Sequence, residues 1–491
     1  MSTDREGAQT HPAEAAPAGG DRSVPPPRVV AHLSPEERKA RGKAARNEVP
    51  LESHAVFAPT GRVDPISFLE EQAKTRVPEL VPIRYGRMGV SAFTFYRGAA
   101  LIMAADLAGT PTSGLHAQLC GDAHLSNFGM FGSPERHMVF DINDFDETSV
   151  GPWEWDVKRL AASVEIGGRD RGFTDKERRT AVLAAVNEYR TAMRSFAAMT
   201  NLEVWYAHID MDERLPEIRA QVPPERARML DKALAKMKTR DSMQAFTKLT
   251  ERVDGEPRIL SQPPLIVPMR ELVDDEHRQE VEEALAATLR SYRRTLTTDR
   301  RHLLEQYRLV EVARKVVGVG SVGTRAWIVL LLGRDGQDPL FLQAKEAEKS
   351  VLERFAGKSQ YSNSGQRVVA GQRLMQATSD IFLGWDRVKG FGGAQRDFYF
   401  RQFRDWKGSL DIGAIQPKGL AVYARLCGWT LARAHARSGD RIAIASYLGK
   451  SDTFDRAVAE FSVAYADQNE RDYQAMQTAV QQGRLTAEAG L

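Results

Sequence analysis

The chain has 491 residues, enough for roughly two or three domains and a large buried core. Its 68 Lys and Arg against 65 Asp and Glu leave a net charge of +3, spread rather than striped, which argues against nucleic acid or a membrane surface as the partner. Only Cys120 and Cys427 are present, no apolar run reaches the ~18 residues of a membrane span, and the N-terminus lacks a signal-peptide core, so a reducing, cytoplasmic setting is expected.

The first ~30 residues are rich in Ala, Gly and Pro without apolar periodicity, and the tail 1–50 is expected to be disordered or weakly ordered. Within it, Ser34-Pro35-Glu36-Glu37 caps a short basic helix through Arg46. Helix resumes from Pro65 to about Arg76, Phe93-Thr94-Phe95-Tyr96-Arg97 reads as strand, and an Ala-rich helix runs from Ala99 to Leu107. Arg84, Arg87 and Arg97 cluster just upstream of the next motif, where they suit a phosphate or an acidic substrate; a solvated basic face is the plainer reading.

The next block carries the chemistry. Gly121-Asp122-Ala123-His124-Leu125-Ser126-Asn127 is followed by Val139 to Glu147 and by Trp155-Asp156-Val157-Lys158-Arg159-Leu160. Phosphoryl transfer needs a carboxylate near the attacking hydroxyl and oxygen ligands for the magnesium that neutralises the phosphates. Asp122 and Asn127 stand five positions apart, the spacing of the base and the metal-binding Asn in a kinase catalytic loop. Apolar runs Phe128 to Phe131 and Met138 to Ile142, broken by Gly132-Ser133-Pro134-Glu135-Arg136, predict a hairpin that returns Asp144 to the mouth of that loop. Asp144 is the preferred metal ligand beside Asn127, and Asp141, in a strand interior, is the rival. Asp156, on the following helix, is placed to support the loop by accepting backbone N–H groups, and His124 to orient it or join the catalysis. The plainer alternative is a set of capped turns.

Residues 175 to 310 are mostly amphipathic helix, a candidate substrate wall. Beyond them Gly318-Val319-Gly320-Ser321-Val322-Gly323-Thr324 precedes the apolar run Trp327 to Leu332. A dinucleotide fingerprint opens a helix, whereas a kinase glycine loop joins two strands, and this run reads as strand. After the turn Gly333-Arg334-Asp335-Gly336, Pro339 to Lys345 is a further strand whose Lys345 stands where a kinase lysine reaches the phosphates. Glu346 to Phe355 is helix-permissive, so Glu346, Glu348 or Glu353 is expected to orient Lys345, with Glu353 preferred. The strand Asp397 to Phe403, with Gln402, is a candidate adenine-binding hinge. In the helix Tyr423 to Arg437, His435 and Arg437 either face the pocket or belong to a packed or solvated helix end; Asp440 beyond it is an alternative acid lacking a following Asn.

The first block resembles the aminoglycoside-phosphotransferase and choline-kinase branch of the protein-kinase-like superfamily, whose pattern is Gly-Asp-x-His-x-x-Asn, then Asp-Phe/Trp-x, then an Asp at a helix start. Asp144 and Asp156, twelve positions apart, suit it. At finer grain, Gly-Asp-Ala-His-Leu-Ser-Asn-Phe-Gly, Asn-Asp-Phe-Asp-Glu-Thr, Gly-Ser-Val-Gly-Thr-Arg, Gln-Ala-Lys-Glu-Ala and Ala-His-Ala-Arg-Ser-Gly-Asp resemble the bacterial family catalogued as domain of unknown function 2252, from about residue 50 onward. That family name supplies no activity.

The resemblance implies an α+β, protein-kinase-like two-lobed fold. Because the glycine loop follows the catalytic loop by about two hundred residues, the fold is expected to be circularly permuted. Its parts are then the catalytic-loop portion 51–175, a helical insert 176–310, a β-rich nucleotide lobe 311–410 and C-terminal helices 411–491. The expected activity is ATP- and Mg²⁺-dependent transfer to a small hydroxylated substrate. Asp122 serves as base, Asn127 and Asp144 as metal ligands, Lys345 on the phosphates and the glycine loop over them. A metal-dependent phosphohydrolase using Asp122, His124, Asp141 and Asp144, and a nucleotide-binding pseudokinase, are the alternatives.

Overall fold

The largest sheet has six antiparallel strands in the order β12-β13-β11-β10-β9-β8: β8 is Ile266–Pro268, β9 Arg308–Lys315, β10 Ala326–Leu332, β11 Pro339–Ala347, β12 Gly384–Lys389 and β13 Gln395–Gln402. The computed structural model describes residues 32–58, 61–220, 224–316, 318–389, 393–403 and 405–490, so the expectation for the first 30 residues lies outside them. Every residue of β11 is buried, because its two faces pack against different things. Leu342 and Ala344, with Phe398 and Phe400 of β13, join an apolar cluster that includes Val281 and Tyr292 of the helix Arg278–Arg293. Gln343 and Lys345 point the other way. They stand directly opposite Arg401 and Tyr399, so this end of the sheet's second face is polar, while Phe341, Ile328 and Leu330 further along it join a separate apolar cluster with Ala245 and Leu249.

The polar end of that face meets a mainly helical body. In the helix Trp153–Asp170 every residue from Trp153 to Gly168 is buried, enclosed by the helices Asp175–Ala198, Pro417–Ser438 and Thr453–Gln481. Trp153 stacks on Tyr189 with ring centroids 5.6 Å apart. Gly428 lets the helices Asp175–Ala198 and Pro417–Ser438 touch, since a Cβ there would lie 2.1 Å from the carbonyl oxygen of Ala185.

Short strands hold the acidic block against this body. The ends of the block are tied where β1 (His116–Leu119) pairs antiparallel with β4 (Ser149–Pro152), Leu119 opposite Ser149. Between them, β2 (Phe128–Gly132) and β3 (Met138–Ile142) form the expected hairpin, Phe128 opposite Ile142.

Three expectations are corrected. Phe93 to Arg97 is not strand but the helix Ala92–Gly98, because Ser91 and Thr94 form a capping box that starts a helical turn. The segment 176–310 is not helix alone: β5 (Ile209–Asp210) extends the β2–β3 hairpin, β6 (Thr250–Val253) pairs with β7 (Glu256–Ile259), and β8 completes the large sheet. Asp254 and Gly255 both take positive φ between β6 and β7, the geometry a tight hairpin needs. Glu346 to Phe355 is not one helix either, since β11 continues to Ala347 and only Glu353–Ala356 is helical.

Gly428→Ala is expected to destabilise the fold by at least about 2 kcal/mol, since a buried backbone oxygen leaves the methyl nowhere to go. Urea unfolding of the variant measures it.

Candidate active site

The residues from Gly121 to Glu147 form a loop, a hairpin and a second loop whose acidic side chains are sorted by their partners. Asp156 lies in the first turn of the helix Trp153–Asp170 and accepts the N–H groups of Cys120 at 2.8 Å and Gly121 at 3.0 Å, the support expected of it. Arg159, one turn further along the same helix, donates to Oδ1 of Asp122 at 2.7 Å. Asp122 keeps its Oδ2, which lies 3.7 Å from Nε2 of His124. Asn127 donates through Nδ2 to the carbonyl oxygen of Asp122 at 2.8 Å, so its own side-chain oxygen carries no share of that bond.

Lys345, buried in β11, lies 3.6 Å from Asp144 and closer still to Asp146. Asp146 also accepts from Tyr399 of β13 at 2.7 Å and from Ser321 of the glycine loop at 3.1 Å. One carboxylate thus joins the sheet to the loop. Burial opposes the charge of Lys345, but Asp144 and Asp146 outweigh it and hold the ammonium well above its ordinary value. Burial likewise opposes ionisation of Asp144, and Lys345, Arg401 and Lys407 outweigh it, holding the carboxyl well below the usual range. Burial pushes His124 down to about 4, so the ring is neutral at pH 7, and it pushes Glu147 up to about 7.

Asp122, His124, Asn127, Asp144 and Lys345 line one polar cleft, together with Gly318, Gly320 and Ser321. The glycine loop joins β9 to β10, so it opens a strand and no dinucleotide-binding helix. An apolar cavity of about 390 Å³ lies on the opposite face of the sheet, lined by Trp327, Val329, Ala344, Phe398 and Phe400. Its lining lacks the acid–base groups of the polar cleft.

Several expected residues are not brought into the cleft. Asp141 is enclosed by Arg433, its own neighbour's N–H and that of Ala377 at 3.0 Å, so as a strand-interior carboxylate it is a buried structural anchor. Glu353 does not pair with Lys345: it accepts from the N–H groups of Ser350 and Ser359 at 3.2 Å each. Glu346 is taken by Arg325 and Arg396, and Glu348 is exposed. Gln402 lies outside the cleft lining, its N–H donating to Asp380. Gly323, at φ +89°, and Thr324, whose hydroxyl donates to Ser321, close the glycine loop on its far side. His435 is buried between Tyr189 and Asp156, Arg437 lies over Trp205, and Asp440 caps the helix Arg441–Leu448.

The sequence reading gave no role to Asp146, Glu147, Arg159, Arg76 or Arg401. One of them carries a signal: Arg159 is three positions from Asp156, on the same helix face. Arg76 donates to the carbonyl oxygen of Gly320 at 3.0 Å and to that of Val322, a pairing across about 250 residues that no local pattern announces.

The molecule is therefore an α+β protein with a polar cleft between a six-stranded sheet and a helical body. The chain belongs to an uncharacterised protein family conserved in bacteria, domain of unknown function 2252, whose family model matches residues 76–479. No curated protein and no solved structure matches it. Among the described residues no helix is long and apolar enough to cross a membrane.

A carboxyl raised by burial contributes stability below its unfolded value near 4.5, and that contribution is lost as pH rises to about 7. Glu147→Gln keeps an acceptor for the N–H of Val351 without the charge. The variant is expected to gain about 2 kcal/mol on wild type between pH 4.5 and 7.5, allowing for solvent screening of a partly exposed group, as read by urea unfolding at both pH values.

Proposed function

We propose that the protein is an ATP- and Mg²⁺-dependent phosphotransferase of protein-kinase-like, circularly permuted fold, acting on a small hydroxylated substrate. The observation that carries this reading is the meeting of Lys345 with Asp144 and Asp146 across about two hundred residues of sequence, in the cleft that also holds Asp122 and Asn127. Each motif alone has a bland explanation. Their convergence is what a nucleotide site requires, since the lysine and the metal-binding carboxylate must serve the same phosphates.

The donor set fits a magnesium ion. Asn127 is tied through its amide nitrogen and so presents its oxygen, and Asp144 is an ionised carboxylate 30% exposed. Two protein oxygens, completed by phosphates and water, are what Mg²⁺ takes in such sites. Bound there, the ion neutralises charge on the phosphates.

The chain's own residues have the remaining tasks. Arg159 fixes one oxygen of Asp122, leaving the other to accept the acceptor hydroxyl's proton. Lys345 bears on the phosphates. Asp146, with Tyr399, orients it, the task expected of Glu353. Gly318 and Gly320 let the loop backbone cover the nucleotide. Only a short loop and β4 separate Asp144 from the helix at Trp153, which leaves little room for a peptide platform and favours a small acceptor. The phosphohydrolase reading is weaker, because Asp141, one of its four ligands, is held by Arg433.

Thermal unfolding with Mg²⁺ and a non-hydrolysable ATP analogue tests the proposal. At about a hundred times its dissociation constant the analogue is expected to stabilise wild type by roughly 2.7 kcal/mol, a shift of a few degrees. Asp144→Asn and Lys345→Met, which keep side-chain volume, are expected to unfold cooperatively at a lower temperature than wild type and to lose the shift. Absence of a shift in wild type contradicts the reading.

A further inference from the structure

One wall of the cleft is not used by the mechanism above. It is built by the helices Val81–Met88 and Ala92–Gly98, which bring Arg84 and Arg97 to the cleft beside Asp122 and His124. Arg84 is 1% exposed. Its Nη2 donates to Gln72 at 2.9 Å and to the carbonyl oxygen of Gly98 at 3.1 Å, whereas Nε and Nη1 are buried without a partner among the described residues. The same holds for Nε of Arg97. Among the described residues no ion pair neutralises Arg84: burial works against its charge, and so does a second cation, Arg76.

Unpaired guanidinium N–H groups in a buried place are unfavourable unless something arrives to receive them. Lys345 is held by Asp144 and Asp146, and Arg401 by Gln343 and the carbonyl oxygen of Asn143. Arg76 is tied to the glycine loop through its two Nη atoms, while its Nε, like those of Arg84 and Arg97, is buried without a partner among the described residues. The vacant donors therefore cluster on the arginines, with Arg84 and Arg97 free of the glycine loop that holds Arg76.

We propose that Arg84 and Arg97 form an oxyanion subsite, so that the acceptor is a small hydroxylated molecule that also bears a phosphate or carboxylate group. This rests on the phosphotransferase reading and names its substrate class. Guanidinium forks suit planar or tetrahedral oxyanions better than an ammonium does. An anion held there lies in the same cleft as Asp122, which gives the acceptor hydroxyl a fixed approach to the base. The only other oxyanion such a subsite would take is the terminal phosphate of the nucleotide itself, and the two are separated by competition.

The experiment is thermal unfolding titrated with inorganic phosphate, and separately with succinate, against sodium chloride of equal ionic strength. Both series are run with and without saturating Mg²⁺ and the non-hydrolysable ATP analogue, on wild type, Arg84→Met, Arg97→Gln and Lys345→Met. Arg84→Met removes an unpaired buried charge while keeping volume, and Arg97→Gln alters a more exposed group, so a folding failure of one leaves the other to decide. The expected result is a saturable upward shift with at least one of the two anions that persists when the analogue is bound. Either arginine variant weakens it by at least about tenfold, and Lys345→Met leaves it intact. No shift beyond chloride with either anion, or a shift abolished by the bound analogue, overturns the proposal. If the anions bind through the arginines but the analogue never does, the phosphotransferase reading fails while the anion site stands.

Discussion

A lysine ammonium with 3% exposure is tolerated only where carboxylates meet it, and that constraint fixes the rest of this molecule. Lys345 sits mid-sheet, on a strand whose opposite face is apolar, so it has no route to solvent along the sheet. Asp144 and Asp146 reach it from a different part of the chain, and Tyr399 and Ser321 bind the same Asp146. Removing one partner of such a buried pair commonly costs about 3–5 kcal/mol. The sheet and the acidic block are therefore tied at the cleft itself, and what holds them together is also what gives the cleft its chemistry.

The block reaches the lysine because one helix holds it from behind. The helix Trp153–Asp170 contributes Asp156 to the backbone at Cys120 and Gly121 and Arg159 to the side chain of Asp122, while β1 and β4 tie the block's two ends. His435 and Tyr189 steady Asp156 in turn. The loop backbone is thus fixed by charge-assisted hydrogen bonds, which are shorter and stronger than neutral ones. A cleft built this way keeps Asp122, Asn127 and Asp144 in place before any ligand arrives, and preorganised polar groups are the main means by which phosphoryl transfer is assisted.

What was legible in the sequence follows the range of the interactions involved. The β2–β3 hairpin, β10 and β11 declared themselves through apolar runs and turns, and Asp156 through its place at a helix start. The cap at Ser91 overrode the apparent alternation of Phe93 to Arg97, a local signal that was present and outweighed by aromatic content. The Asp254-Gly255 turn was equally local. By contrast, the pairing of Asp141 with Arg433 spans 292 positions and that of Arg76 with Val322 spans 246, so the strand pattern marks Asp141 as interior but no window along the chain names the partner that holds it. The order of the motifs points to a nearby partner for Lys345 at Glu353, whereas Asp146, from the distant block, holds it.

The central claim is that the acidic block and the lysine strand serve one nucleotide. A double-mutant cycle measures this most directly: affinity for Mg²⁺ and the non-hydrolysable ATP analogue, by calorimetry, for wild type, Asp144→Asn, Lys345→Met and the double variant. One shared site predicts strong non-additivity, a coupling of at least about 1 kcal/mol, because each change removes part of the same phosphate-binding arrangement. Independent effects that add to within about 0.5 kcal/mol, or affinities that neither substitution alters, would contradict it.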